Sequence, residues 1–353
     1  MRTFACHHCG QLVFFENTEC LHCHAELGFL ASERELLTLK FDQDDGLVPY
    51  GDRDARAGTG PWSRCANHVI AGCNWLVDPD ADLCTSCGLT RTRPGDSDTA
   101  GMKGFHEAET GKRRLLFELF ALGLPVERYR EGEGGLAFDL LSSSEKPVTT
   151  GHANGVITLD LAESDDARRE QRRQQLGEPY RTVLGHMRHE VGHYYWTVLA
   201  TSDEDLTKAR ALLGDEREDY QEAIARHYEE GPPEDWHVDY VSAYATMHPA
   251  EDWAETFAHY LHIRDTLQTA AANRVRVLGP EAVAEMPQGR ELSSVPREGP
   301  QEFSDLIAAW LPLTYALNAL NRSMGYDDLY PFVLTRAVIE KLGLVHELVL
   351  GAA

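Results

Sequence analysis

The chain has 353 residues, 42% hydrophobic and 25% charged, with a formal net charge of −24. This is the composition of a globular protein with room for more than one domain. No apolar run approaches the roughly 20 residues of a membrane span, and the acidic balance repels phosphate backbones, so neither a membrane nor a nucleic acid is an expected partner.

The chain opens with MRTFACHHCG, which reaches a Cys-rich stretch at once and holds no apolar signal region, so a cytoplasmic location is expected. All 8 Cys lie within the first 87 residues. Without a secretory signal, clustered Cys pairs point to metal ligation rather than disulfides. Cys6-x2-Cys9 and Cys20-x2-Cys23 are two knuckles with ten residues between them, the spacing of a closed structural zinc site, and Gly10 suits the tight turn after the first. Cys65, Cys73, Cys84 and Cys87 form a second set in which only the last two make a CxxC pair. Sequential and interleaved sharing of the metals both stay open. Residues 1–95 carry 8 Lys+Arg and 13 Asp+Glu, a net of 8 − 13 = −5. That charge favours a protein-docking or structural role for the Cys module over binding DNA or RNA.

Arg93-Pro94-Gly95-Asp96-Ser97-Asp98 marks a polar boundary, dividing the chain into a Cys module over 1–95 and a second domain over 96–353. Within the latter, 96–163 mixes a helix over Lys112–Leu122 with strands over Gly134–Leu141 and Gly155–Leu161, and 164–353 is mainly helical. Pro179 suits a first helical turn, and Val183, Leu184, Met187, Val191, Tyr194, Tyr195 and Val198 recur at helical spacing up to about Ala200. A long loop is expected from Trp196 to His248. Further helices are expected over Glu251–Ala270, after Pro249, and over Phe303–Ser323 and Val333–Leu350.

The helix around residue 190 carries chemistry. His189 and His193 are four apart, so their imidazoles share one face, one turn apart, and can share a tetrahedral zinc. Glu190, next to the first His, places a carboxylate where it can serve as general base toward a zinc-activated water. Glu251, Glu255, His259 and His262 form a stripe on the later helix. A zinc site of this kind needs a third ligand and often a carboxylate that orients a ligand His through its other nitrogen, and the Glu251/Glu255 pair can supply both. His259 is the next candidate for third ligand, followed by His227, His237 and His248.

HExxH followed by this acid pair resembles the gluzincin pattern of thermolysin-like peptidases, which implies Glu251 as zinc ligand and Glu255 as the residue holding a His. The stretch Glu251 to Ala258 is similar to a helix of lethal-factor-type toxin peptidases. In those a Tyr seven residues before the Glu ligand helps stabilise the oxyanion, implying Tyr244 here, with Tyr240 a second candidate. Over most of its length the chain resembles the zinc-binding metallopeptidases with an N-terminal zinc ribbon, the Peptidase Mx type. The stretches Phe4–Gly10, Cys65–Cys87, Arg188–Trp196, Glu251–His262 and Leu317–Gly325 carry the likeness.

The resemblance implies an α+β protein: a small-β zinc-ribbon module, then a mostly helical, zincin-like metallopeptidase domain with a small sheet. It implies a peptidase, and so a protein or peptide substrate; the residues themselves lead to one catalytic and one or two structural zinc ions, with an endopeptidase favoured. Fold analogy with zincins assigns the substrate-binding edge to the strand Val156–Leu161. The alternatives are a non-catalytic, zinc-stabilised adaptor and, less favoured by charge, a zinc-ribbon nucleic-acid factor.

Overall fold

The computed structural model describes residues 2–144, 146–164, 182–279, 296–297, 299 and 301–352. Among these the chain forms two compact units, one holding residues up to 164 together with 182–187, the other the residues from 188 on.

The first unit is built from short strands. β1 (Phe4–Ala5) pairs antiparallel with β2 (Leu12–Val13), and β3 (Glu26–Leu30), β4 (Glu35–Phe41) and β5 (Leu47–Pro49) form an antiparallel meander. One-turn helices α1 (Asp52–Ala55), α2 (His68–Ala71) and α3 (Thr85–Gly88) alternate with the paired strands β6 (Ser63–Arg64) and β7 (Leu76–Val77). Strands this short bury little, so aromatic side chains supply the core: Phe15 meets Phe29 at 4.9 Å, Phe117 at 5.2 Å, and Phe29 meets Trp75 at 5.0 Å. Phe117 comes from α4 (Thr99–Ala121), whose first turn is capped by the Asp98 carboxylate accepting from Gly101 N. This helix begins well before the expected Lys112, because Gly101, Gly104 and Gly111 dilute the helical pattern of its first half.

The remaining strands, β8 (Thr90–Thr92), β9 (Ala137–Leu141), β10 (Gly151–Ala153) and β11 (Val156–Asp160), form a sheet in the order β10-β11-β9-β8. Here one expectation is overturned. The strand over 156–161 is not an edge, since β9 pairs with it on one side and β10 on the other. The reason is the two-residue turn Asn154-Gly155, with φ +50° and +83°, whose twist folds β10 back as a hairpin. The edges of this sheet are β10 and β8.

The second unit is helical. The expected helix start at Pro179 lies outside the described residues; the described helix α5 runs Val183–Leu199. The segment read as a long loop in fact holds two helices, α6 (Asp203–Leu213) and α7 (Tyr220–Glu230). Ser202 and Asp219 cap their N-termini, and Gly214 and Gly231 end them. α8 (Pro249–Ala272) has Pro at its start, as expected. α9 spans Phe303–Ser323. α10 (Arg336–Ala352) starts three residues later than Val333, where Thr335 Oγ1 accepts from Val338 N. Trp253, Phe257, Tyr260 and Trp310 are the largest wholly buried side chains on α8 and α9. Among the described residues, no helix is long and apolar enough to cross a membrane.

Candidate metal centres

The eight Cys gather into two groups of four, Cys6/Cys9/Cys20/Cys23 and Cys65/Cys73/Cys84/Cys87, so the pairs are used sequentially and not interleaved. All are free thiols. Cys6 and Cys23 Sγ stand 3.5 Å apart, and Cys9–Cys20 and Cys73–Cys84 3.6 Å. A disulfide needs about 2.05 Å, whereas the edge of a tetrahedron of Zn–S bonds is about 3.8 Å. Both groups therefore fit a shared four-coordinate ion. The first is framed by twin turns: Gly10 N donates to Cys6 O and His24 N to Cys20 O, each at 2.8 Å, with Gly10 and His24 both left-handed. In the second, Cys84 caps α3 by accepting from Cys87 N.

The third centre depends on a close helix crossing. Gly192, between the two histidines, lies against α8: a Cβ there would stand 3.0 Å from Ala254 Cα and 3.3 Å from Phe257 Cβ. Trp253 Nε1 donates to Gly192 O at 2.8 Å and Tyr195 stacks on Phe257 at 5.4 Å. α8 thus presents Glu251 to both histidines. Glu251 Oε2 is 3.0 Å from His189 Nε2 and Oε1 is 3.4 Å from His193 Nε2. A tetrahedral zinc with bonds of 2.0–2.1 Å sets its donors about 3.3–3.4 Å apart, so the spacing fits. Donor atoms of His189, Glu190 and His193 lie within 4.8 Å of one another.

Hydrogen bonding fixes the ring of His189. A carboxylate only accepts, so His189 Nδ1–H donates to Glu255 Oε1 at 2.7 Å. Ser242 Oγ donates to the other oxygen, Oε2, at 2.6 Å. His189 Nε2 then turns toward Glu251 Oε2, a buried oxygen that accepts no hydrogen bond. Two donor atoms facing each other with a buried oxygen left unpaired is the arrangement a cation completes. Burial alone would raise both carboxyls. His189 and His193 outweigh it at Glu251 and hold that group well below the usual carboxylate range; His189 does the same at Glu255, down to about 2. Burial likewise opposes charge on His189, and Glu251 and Glu255 together raise it above its ordinary value.

Tyr244 lies on the turn Tyr244–Thr246, its ring 5.8 Å from that of His189. Tyr240 is placed otherwise, under the Lys341 ammonium at 4.1 Å. The other candidate third ligands have neighbours of their own. His259 Nδ1 is 2.7 Å from the Tyr330 hydroxyl and its ring packs on Phe332 at 4.4 Å. His248 uses both nitrogens, Nδ1 accepting from Ala250 N and Nε2 donating to Glu218 O. His237 packs on Trp236 at 6.1 Å, and the ring of His227 lies 6.4 Å from that of Tyr244. Two residues at the centre escaped the sequence reading: Ser242, and Tyr220, whose hydroxyl donates to Glu251 Oε1 at 2.7 Å. Neither belongs to a spacing pattern; the signal for Tyr220 was only the Asp219 cap of an overlooked helix.

Fold and Cys groups together define a protein with a Cys-rich zinc-ribbon module followed by a mostly helical domain with a small sheet. A family model described as "Putative zinc-binding metallo-peptidase" (Peptidase Mx) matches residues 101–348, and the chain belongs to that family. A zinc-ribbon domain model matches residues 3–98. The chain is 50% identical over 353 residues to proteins of Mycobacterium tuberculosis and Mycobacterium bovis described as uncharacterized, covering 99% of this chain and 95% of each relative. No solved structure matches it.

Proposed function

We propose that this chain is a zinc-dependent endopeptidase acting on proteins or peptides, with His189, His193 and Glu251 as ligands of the catalytic zinc. The observation that carries the reading is the convergence of those three side chains beside Glu190, with Glu255 locking His189 from behind. When bound, zinc supplies a Lewis acid that polarises the scissile carbonyl and acidifies water.

The chain's own residues do the rest. Glu190, buried next to His189, takes the proton of the attacking water and passes it to the amide nitrogen that leaves. Glu255 and Ser242 hold His189 in the tautomer whose Nε2 is free to ligate. The Tyr244 hydroxyl donates to the oxygen that gains negative charge as the carbonyl is attacked. The two groups of four cysteines hold structural zinc.

Glu190→Gln tests this reading. Expected is retention of all bound zinc with loss of cleavage of an unfolded protein substrate by roughly 10²–10⁴-fold, the worth of a general base. A variant that still cleaves at the wild-type rate refutes the mechanism.

A further inference from the structure

We infer that Tyr220 is a positioning residue of the third centre: its hydroxyl occupies one carboxylate oxygen of Glu251, so that only the other is offered to the metal. This rests on the reading of His189, His193 and Glu251 as zinc ligands.

The two oxygens of Glu251 are not equivalent. Oε1 accepts the Tyr220 hydroxyl at 2.7 Å, and His193 Nε2 stands farther from it, at 3.4 Å. Oε2 is buried, accepts no hydrogen bond and faces His189 Nε2. A carboxylate that binds through both oxygens takes two positions on a metal, and with two histidines it would fill a tetrahedron. Bound through one oxygen, it leaves the open position that separates a catalytic zinc from a structural one. A phenol O–H directed at Oε1 is a charge-assisted hydrogen bond that holds that oxygen back.

Tyr220 is itself held. It is the first residue of α7, behind the Asp219 cap, and its ring lies 5.2 Å from that of His248. His248 is the N-cap of α8, the helix that carries Glu251, and its Nε2 donates to Glu218 O at 3.1 Å. One buried histidine therefore ties the start of α7 to the start of α8 and fixes the hydroxyl relative to the carboxylate.

Tyr220→Phe removes the hydroxyl and keeps the ring against His248. In the full-length, metal-loaded protein, zinc at this centre is expected to yield to a competing chelator with an affinity lower by roughly 10–100-fold, the usual effect of losing a partner of a ligand. Cobalt(II), introduced after a chelator has emptied this centre and with the Cys-bound zinc verified by metal counting, is expected to show weaker visible bands in the variant, because a second carboxylate oxygen joins the coordination shell. Wild-type affinity and an unchanged cobalt spectrum overturn the inference, as does a lowered melting temperature with no change in either. If His189→Ala and the wild type carry the same metal content, the zinc-ligand reading itself falls, and the inference with it.

Discussion

Lys341→Met probes the ion pair that backs α8, the helix carrying Glu251. Lys341 Nζ donates to Asp252 Oδ2 at 2.6 Å and to Asp239 O at 2.7 Å, and the side chains of Lys341 and Asp252 are 6% and 1% exposed. Asp252 is the neighbour of Glu251 on α8, and Lys341 reaches it from α10. Methionine keeps the volume but strips the carboxylate of its partner. An unpaired buried charge of this kind costs about 3–5 kcal/mol.

The penalty depends on pH. Burial already pushes the Asp252 carboxyl up to about 6, although Lys341 opposes it. A carboxyl raised in the folded state binds protons more readily there than in the unfolded chain, so its burial costs stability as pH rises through 4 to 6. Removing Lys341 raises the group further and extends that loss to higher pH. Below the shifted value Asp252 is neutral in both proteins and the difference shrinks. Urea unfolding at saturating zinc should show a loss of about 3–5 kcal/mol at pH 8 and under about 2 kcal/mol at pH 5. Asp252→Asn in the Lys341→Met background should recover at least half of the loss at pH 8. A penalty below about 1 kcal/mol, or one that does not change with pH, refutes the reasoning.

Two further outcomes follow from packing and burial. Gly192→Val places a side chain where even a Cβ meets Ala254 Cα at 3.0 Å. It should cost about 1–3 kcal/mol in thermal unfolding and lower the zinc content at the third centre; a variant with wild-type stability and full zinc contradicts the close crossing. Burial lowers His259 to about 4, so the folded protein keeps it neutral while the unfolded chain charges it at about 6.5. Stability is then lost as pH falls from about 6.5 to about 4, by up to about 3 kcal/mol, and no further below that window. His259→Gln should remove that part of the acid sensitivity, and equal unfolding free-energy slopes for the two proteins between pH 4.5 and 6.5 would count against it.

Much of the site was legible because its elements are local. The HExxH spacing and the i, i+4 pair Glu251/Glu255 need only the 3.6-residue period to place their side chains on one face. The CxxC knuckles need only a tight turn. The missed pieces are of two kinds. Some had a local signal that went unread, such as Asn154-Gly155, a hairpin turn that adds β10 beside β11 and removes its edge. Others had none: Ser242 and Tyr220 reach the acid pair from 13 and 31 residues away in the chain, along a segment whose polar composition reads as loop.

The sequence by itself determined which residue types could bind metal and how they face along each helix, because helix geometry and ligand chemistry are fixed by short-range covalent constraints. Only the tertiary structure decided which of the candidate ligands meet. That choice hangs on the crossing at Gly192, where the absence of a side chain lets two helices approach closely enough to bring Glu251 to His189 and His193, while His259, on the same helix, is carried to Tyr330 and Phe332 instead.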